Sequence, residues 1–250
     1  MTPGPLPLAR VLIVAPHPDD ETIGAGALIQ RAVAAGGIVR AVFVTDGDNN
    51  PWPLRVSRRK WTVTADDRLA WGTMRREEAR AALQHLGATA DGASFLGYPD
   101  RELGAFAARG DRRIPDALTA IVTAFDPTLV VVPSIQDLHA DHRAVAIFAH
   151  EAARGRDLVT YIVHGTGAHT RVAARLTLTS GERARKLAAI EKHQSQLLLS
   201  RERFLSYAGE VETFYRSEAD ILRPDTWLHK WRCKALHGLR VAMRKGCDED

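Results

Sequence analysis

An α/β fold, Rossmann-like, with a mostly parallel sheet and helices on both faces, is predicted from two observations. Val11-Leu12-Ile13-Val14 and Leu129-Val130-Val131-Val132 are continuously apolar, as strands covered on both faces are. Each run leads into a polar loop and then a helical pattern. In an open sheet of this kind ligands bind outside the carboxyl ends of the strands. The loops after these two runs are therefore where chemistry is expected.

Taken in order, residues 11–15 read as the first strand. A helix from about Thr22 to Ala35, rich in Gly and Ala, can pack close to the sheet, and Gly36-Gly37 ends it. Ile38 to Thr45 is a second strand, ending in the polar loop Thr45-Asp46-Gly47-Asp48. Strand, helix and strand at this spacing imply a right-handed crossover and a parallel pair. Residues 49–65 read as a long basic loop bearing Trp52 and Trp61, with Arg55, Arg58, Arg59 and Lys60. Loops of that length inside a domain tend to act as lids, and sugar rings stack on aromatic faces, so Trp52 is a candidate substrate contact. A helix from about Asp66 to Leu86 turns Ala79, Ala82, Leu83 and Leu86 inward. Arg75 falls on that same face and needs an acidic partner or a substrate group. Arg76 lies toward the edge.

Ser94 to Gly97 is a short strand leading into a third polar loop, Tyr98 to Leu103, with Asp100. A helix near Ile114 to Phe125 precedes the second apolar strand. That strand's loop, Ser134 to Asp141, is followed by a helix to about Ala153 with Val145, Phe148 and Ala149 inward. Leu158 to Val163 and Leu176 to Thr179 read as strands. Ser180 is expected to cap a single helix from about Glu182 to Leu198, with Leu187 and Ile190 on one face. Trp227 to Lys245 is a basic amphipathic tail that suits a docked terminal helix or an anionic membrane surface.

The bulk numbers bound the rest. The 250 residues read as one domain, 1–250, with its core at about 9–200 and a C-terminal extension over 201–250. Hydrophobic residues are 45% and charged residues 26%, ordinary for a soluble globular protein. The net charge of +4 suits an anionic substrate or a membrane surface and does not demand nucleic acid. Cys233 and Cys247 form no Cys-x-x-Cys pair, which argues for a reducing compartment and against a cysteine metal site. The first ten residues carry no charged n-region, and no run approaches the ~20 apolar residues of a membrane span. A cytoplasmic protein is expected, with peripheral membrane contact through the tail and self-association left open.

Three strand ends thus bring polar groups to one rim: His17, Asp19 and Asp20; Asp46 and Asp48; His139, Asp141 and His142. Two histidines and a carboxylate with an open fourth position form a catalytic zinc arrangement. His17 and Asp20, three residues apart, are close enough to share one ion, which leaves Asp19 for another task.

These motifs resemble those of the PIG-L/LmbE-like zinc deacetylases. The resemblance rests on His17-Pro18-Asp19-Asp20-Glu21, Thr45-Asp46-Gly47, Arg75-Arg76-Glu77-Glu78-Ala79, His139-Ala140-Asp141-His142-Arg143 and the segment ending His193-Gln194-Ser195-Gln196. It covers roughly residues 9–200. Ala140 stands where the family usually has proline. The resemblance implies His17, Asp20 and His142 as metal ligands, for Zn²⁺ with Fe²⁺ as the alternative. It implies Asp19 as general base, His139 as oxyanion stabiliser or proton donor, and Asp141 as the group that orients a neighbouring imidazole. Zinc lowers the pKa of its bound water toward ~7, and Asp141 would keep a histidine protonated. Arg75, Asp46, Asp100 and Trp52 are the expected substrate contacts.

The expected reaction is hydrolysis of the N-acetyl group of an N-acetylglucosamine-type aminosugar or its conjugate. A zinc amidase acting on a thiol-sugar conjugate or an acylated antibiotic sugar is the alternative, and a non-catalytic membrane-docked scaffold a remote one. A dinucleotide site is disfavoured, because Gly24 and Gly26 follow the acidic loop and its carboxylates would repel a pyrophosphate.

Overall fold

In the computed structural model, which describes residues 6–59, 61–165 and 171–216, the first apolar run is strand β1 (Arg10–Ala15), buried from Val11 onward. It is followed by α1 (Asp20–Ala34), β2 (Ile38–Thr45), α2 (Pro51–Arg58), α3 (Ala65–His85), β3 (Ala93–Tyr98), α4 (Leu103–Ala108), α5 (Arg113–Phe125), β4 (Leu129–Pro133) and α6 (Ala140–Ala152). Then come β5 (Leu158–Tyr161), β6 (Val172–Thr177), α7 (Ser180–Ile190), α8 (Gln194–Ser206) and β7 (Val211–Arg216).

The strands form one sheet in the order β3-β2-β1-β4-β5-β7-β6. The first five are parallel; β7 runs antiparallel to both β5 and β6. At its centre Ile13 faces Ala41 of β2 on one side and Val131 of β4 on the other. Alternate residues of β1 feed opposite cores. Val11 and Ile13 pack with Leu28 of α1 and Leu83 of α3, whereas Leu12 and Val14 pack with Leu118 of α5 and Phe148 of α6. Coverage on both faces is why the run has no polar alternation. The chain leaves β1 toward β2 but later returns to its other side as β4. The strand order therefore switches direction at β1, and the crevice at such a switch point is where open sheets hold ligands.

Several elements differ from the sequence expectation. Residues 49–65 are not a continuous loop: Pro51 occupies the start of α2, where its missing N–H costs nothing. The expected helix Glu182–Leu198 is two helices broken at Glu191–His193, and its cap is Thr179, whose side chain accepts from Glu182 N in a reciprocal capping box. Leu187 is 36% exposed, while Lys186, Ala189 and Ile190 are buried. The strand expected at Leu176–Thr179 starts earlier, at Val172. Helix α4 and strand β7 were not anticipated by the periodicity.

Helix α1 is itself interrupted at Ala25 (φ −142°, ψ 19°). A buried pair from the antiparallel edge fills the break. Glu212 of β7 accepts from Ala27 N (2.6 Å) and Leu28 N (3.2 Å), and Lys186 of α7 donates to Ile23 O (2.8 Å) and to Glu212 (2.7 Å). Gly24 lies beneath the Tyr161 ring, where a Cβ would come within 2.4 Å of it. All described residues belong to one unit, Met1–Ser217. The basic tail and both cysteines lie outside the described residues. Among those described, no helix is long and apolar enough to cross a membrane.

Candidate metal centre and catalytic cavity

The loop from β1 to α1 separates its two aspartates by backbone strain. Asp19 has φ 146°, a region non-glycine residues rarely enter. Its N–H donates to Glu21 Oε2 (3.0 Å), and its carbonyl accepts from Thr22 N and Ile23 N. The turn sends the neighbouring carboxylates to different partners. Asp20 Oδ2 accepts from His17 N (2.9 Å) and stands 3.1 Å from His17 Nδ1. Asp19 accepts from Arg75 Nη2 (3.1 Å).

The loop from β4 to α6 brings the second histidine. Asp137 accepts from His139 N, Val163 N and His164 N and stands 3.1 Å from His142 Nδ1. His142 Nε2 is 3.3 Å from Asp20 Oδ2, fully buried and without a hydrogen-bond partner among the described residues.

His17, Asp20 and His142 can thus present one ligand atom each within 4.8 Å of one another. The two His-to-Asp20 separations match the edge of a zinc tetrahedron, about 3.3 Å for bonds of ~2.0–2.1 Å. Each histidine's remaining nitrogen faces a carboxylate: Asp137 for His142, and Asp100 (3.1 Å) with Asp141 (3.3 Å) for His17. That is how metal-binding imidazoles are oriented. Charge argues the same way. Burial lowers the His17 pKa, but Asp100, Asp141 and Asp20 outweigh it and raise it well above the ordinary value. Burial likewise opposes His142, yet Asp20 and Asp137 push it up to about 9. Four carboxylates around two imidazoles leave an excess of negative charge that a cation neutralises. Two further triads, His17–His139–Asp141 and Asp137–His142–His164, each share one histidine with the first.

A cavity of about 280 Å³ opens over this centre, with His17, Asp19, Asp20, Arg75, Asp100 and His139 among its lining. Burial pushes the Asp19 carboxyl up to about 6, against the pull of Arg75. Arg75 points inward as expected, 3% exposed, and its partners are now defined. Besides Asp19 it donates to Pro18 O (2.7 Å) and Gly47 O (2.8 Å). Gly47 sits at φ 60°, where a Cβ would fall 1.7 Å from Arg75 Nη1, so only glycine fits there. Asp46 is engaged by Arg76 through both carboxylate oxygens.

The imidazole that Asp141 faces is His17. Asp141 turns its carboxylate to His17 and to Arg101 N (2.7 Å), not to His139. His139 Nδ1 instead accepts from Asp141 N (3.2 Å), which assigns the ring proton to Nε2. Burial and the neighbouring His17 and His142 lower its pKa to about 4, which favours the neutral ring. Trp52 does not line the cavity: it is 58% exposed and packs on Arg55, and Trp61 is 82% exposed.

Further residues support the site from behind. Glu78 accepts from Ser195 N (2.8 Å) and Ser195 Oγ (2.6 Å), placing Gln196 at the cavity wall. His193 Nε2 lies 3.3 Å from Thr22 Oγ1 and 3.6 Å from Glu21. His164, another lining residue, follows the end of β5. The strand-end rule that finds His17 and His142 reaches it too, once β5 is placed in the parallel half.

The sequence pattern of the PIG-L family, described as GlcNAc-PI de-N-acetylase, matches residues 12–153. The chain belongs to the PIG-L family. A 1D-myo-inositol 2-acetamido-2-deoxy-alpha-D-glucopyranoside deacetylase from Mycobacteroides abscessus is 29% identical over 237 residues, covering 76% of this chain and 82% of that protein. Relatives of the same description, one of them from Mycobacterium avium, match over 133 residues, and the chain spans 43% of their length. Among solved structures, N,N'-diacetylchitobiose deacetylase from Pyrococcus horikoshii superposes with a TM-score of 0.64 at 23% identity, covering 82% of each chain. GalB, the 4-carboxy-2-hydroxymuconate hydratase of Pseudomonas putida, superposes at 0.62 and 22% identity, covering 80% of this chain and 82% of its own. The fold therefore carries more than one chemistry, and the site must choose among them.

Proposed function

We propose that this PIG-L family protein is a metal-dependent N-deacetylase that hydrolyses the acetamide of an N-acetylglucosamine-type aminosugar or its conjugate, giving acetate and the free amine. The observation that carries this reading is the separation of Asp19 from Asp20. One carboxylate joins two histidines in a ligand set, and its neighbour, in the same cavity, remains available for proton transfer. The names of the relatives support amide hydrolysis over the hydration known on the same fold.

His17, Asp20 and His142 would hold the metal. When bound, Zn²⁺ supplies Lewis acidity, lowering the pKa of water and polarising a carbonyl oxygen. Asp19 takes the proton of the attacking water. With its carboxyl raised to about 6, it is a stronger base than an ordinary carboxylate and can pass the proton it takes to the departing nitrogen, as a general base and acid in turn. Arg75 keeps that carboxylate in place through Pro18 and Gly47. His139 would donate its Nε2–H to the oxygen that gains charge as the carbonyl becomes tetrahedral.

The test is acetate release from free, phosphate-linked and lipid-linked N-acetylglucosamine by protein of measured metal content. Stoichiometric metal and acetate from at least one substrate are expected. Absence of both overturns the reading.

A further inference from the structure

Arg101 and Arg203 take no part in the chemistry above, yet both line the catalytic cavity. Neither has a carboxylate partner among the described residues, in contrast to Arg75 with Asp19 and Arg76 with Asp46. Arg203 is set in place by uncharged groups: its Nε donates to the Tyr207 hydroxyl (3.3 Å), and its Nη2 lies 3.3 Å from His164 Nδ1. Arg101 is one of four non-glycine residues with positive φ among those described, at 68°; Asp19 is another. Strain of this kind persists where the surroundings enforce it, and it clusters at functional sites. Here the enforcing contact is the 2.7 Å bond from Arg101 N to Asp141 Oδ2, the carboxylate that also faces His17.

The carboxylates at the floor of the cavity are already engaged. Asp19 is held by Arg75, Asp20 by both histidines, and Asp100 and Asp141 by His17. The two exposed arginines sit above them, at the mouth. At about 280 Å³ the cavity lies just under the usual range of ~300–1,000 Å³ for small-molecule sites. It has room for one sugar ring, so whatever that sugar is joined to lies against the arginines. Guanidinium forks match phosphate and carboxylate oxygens in pairs.

We propose that Arg101 and Arg203 select aminosugar substrates bearing an anionic group, phosphate or carboxylate, beside the ring that loses its acetyl. This rests on the deacetylase reading and adds to it the charge of the substrate. The experiment uses the full-length, metal-loaded protein with N-acetylglucosamine, its 1-phosphate and N-acetylmuramic acid as neutral, phosphate and carboxylate probes. Acetate release and equilibrium binding by calorimetry are measured for each. At least one anionic probe should exceed the neutral one by about tenfold in kcat/KM and in affinity, the scale of a charge-assisted hydrogen bond. Arg101→Gln and Arg203→Gln should each cut that ratio several-fold, and the double variant should bring it near one. Arg203→Lys should restore part of it. A ratio of one in the unaltered protein, or an undiminished ratio in the double variant, overturns the proposal. Acetate from none of the probes counts against the deacetylase reading instead, and the binding ratio then decides the arginine assignment alone.

Discussion

The two halves of the sheet serve the cavity by different routes. In the parallel half, the candidate ligands come directly off strand ends: His17 and Asp20 after β1, and His142 after β4. The backbone does the placing, and side chains need only short reach. None of these candidate ligands comes from the antiparallel edge. That edge acts from behind α1, through the Lys186–Glu212 pair in the helix break and through His193 against the first turn. Chemistry thus comes from topology in one half and from buried polar side chains in the other, and the two should fail differently when altered.

The largest effects belong to the parallel half. His142→Ala should lose bound metal, whereas Asp19→Ala should keep it and lose activity by a factor on the order of 10²–10⁴. Metal analysis alongside acetate release checks both, and the reverse pattern would exchange the roles of ligand and base. In the antiparallel half, Glu212→Ala leaves Lys186 buried without its counter-charge, a loss of about 3–5 kcal/mol in urea unfolding. A Lys186→Met, Glu212→Leu double variant should recover most of it. If the single change costs under about 1 kcal/mol, the exposed-pair scale, the edge does not brace α1.

A smaller effect also belongs to the parallel half. Asp137→Asn removes the carboxylate facing His142 Nδ1 and should weaken metal binding by roughly 10–100-fold, read by chelator competition. The smallest concerns Glu182, whose carboxyl the Arg31 guanidinium holds down at about 2, against an ordinary value of 4.5. A depressed carboxyl pKa adds stability that is fully present above 4.5 and is lost as pH falls toward 2. Solvent screens this pair, so the gain stays below about 1 kcal/mol. Thermal unfolding of Glu182→Gln should therefore converge on that of the unaltered protein as pH drops through this window.

The same contrast explains what could be read from the sequence. Val11–Val14 and Leu129–Val132 announce themselves because both faces of a central parallel strand are buried. His17, Asp20 and His142 follow because strand ends converge. Arg75 was legible from helical phase alone. The antiparallel edge hides its function in residues that look solvent-facing. Nothing local to Lys186 or Glu212 reveals the break in α1 that they fill. The interruption at Glu191–His193 contains neither glycine nor proline; it is set by burial of His193 against Glu21 and Thr22. Which imidazole Asp141 orients was left open by the sequence. Adjacency to His139 in sequence favours a local pair, whereas the N-cap geometry of α6 turns its carboxylate across to His17.

The break in α1 also gives each of its two pieces ends of its own. Ile23 O closes the first piece, and an ammonium sits on it; Ala27 N and Leu28 N open the second, and a carboxylate sits on them. Cations favour the carbonyl end of a helix and anions its amide end, so the buried pair has a polarity as well as a net charge of zero. Exchanging the partners, Lys186→Glu with Glu212→Lys, would keep composition and charge and set each group against the wrong pole. What this edge of the fold requires is therefore the direction of a dipole, a property that no count of charged residues records.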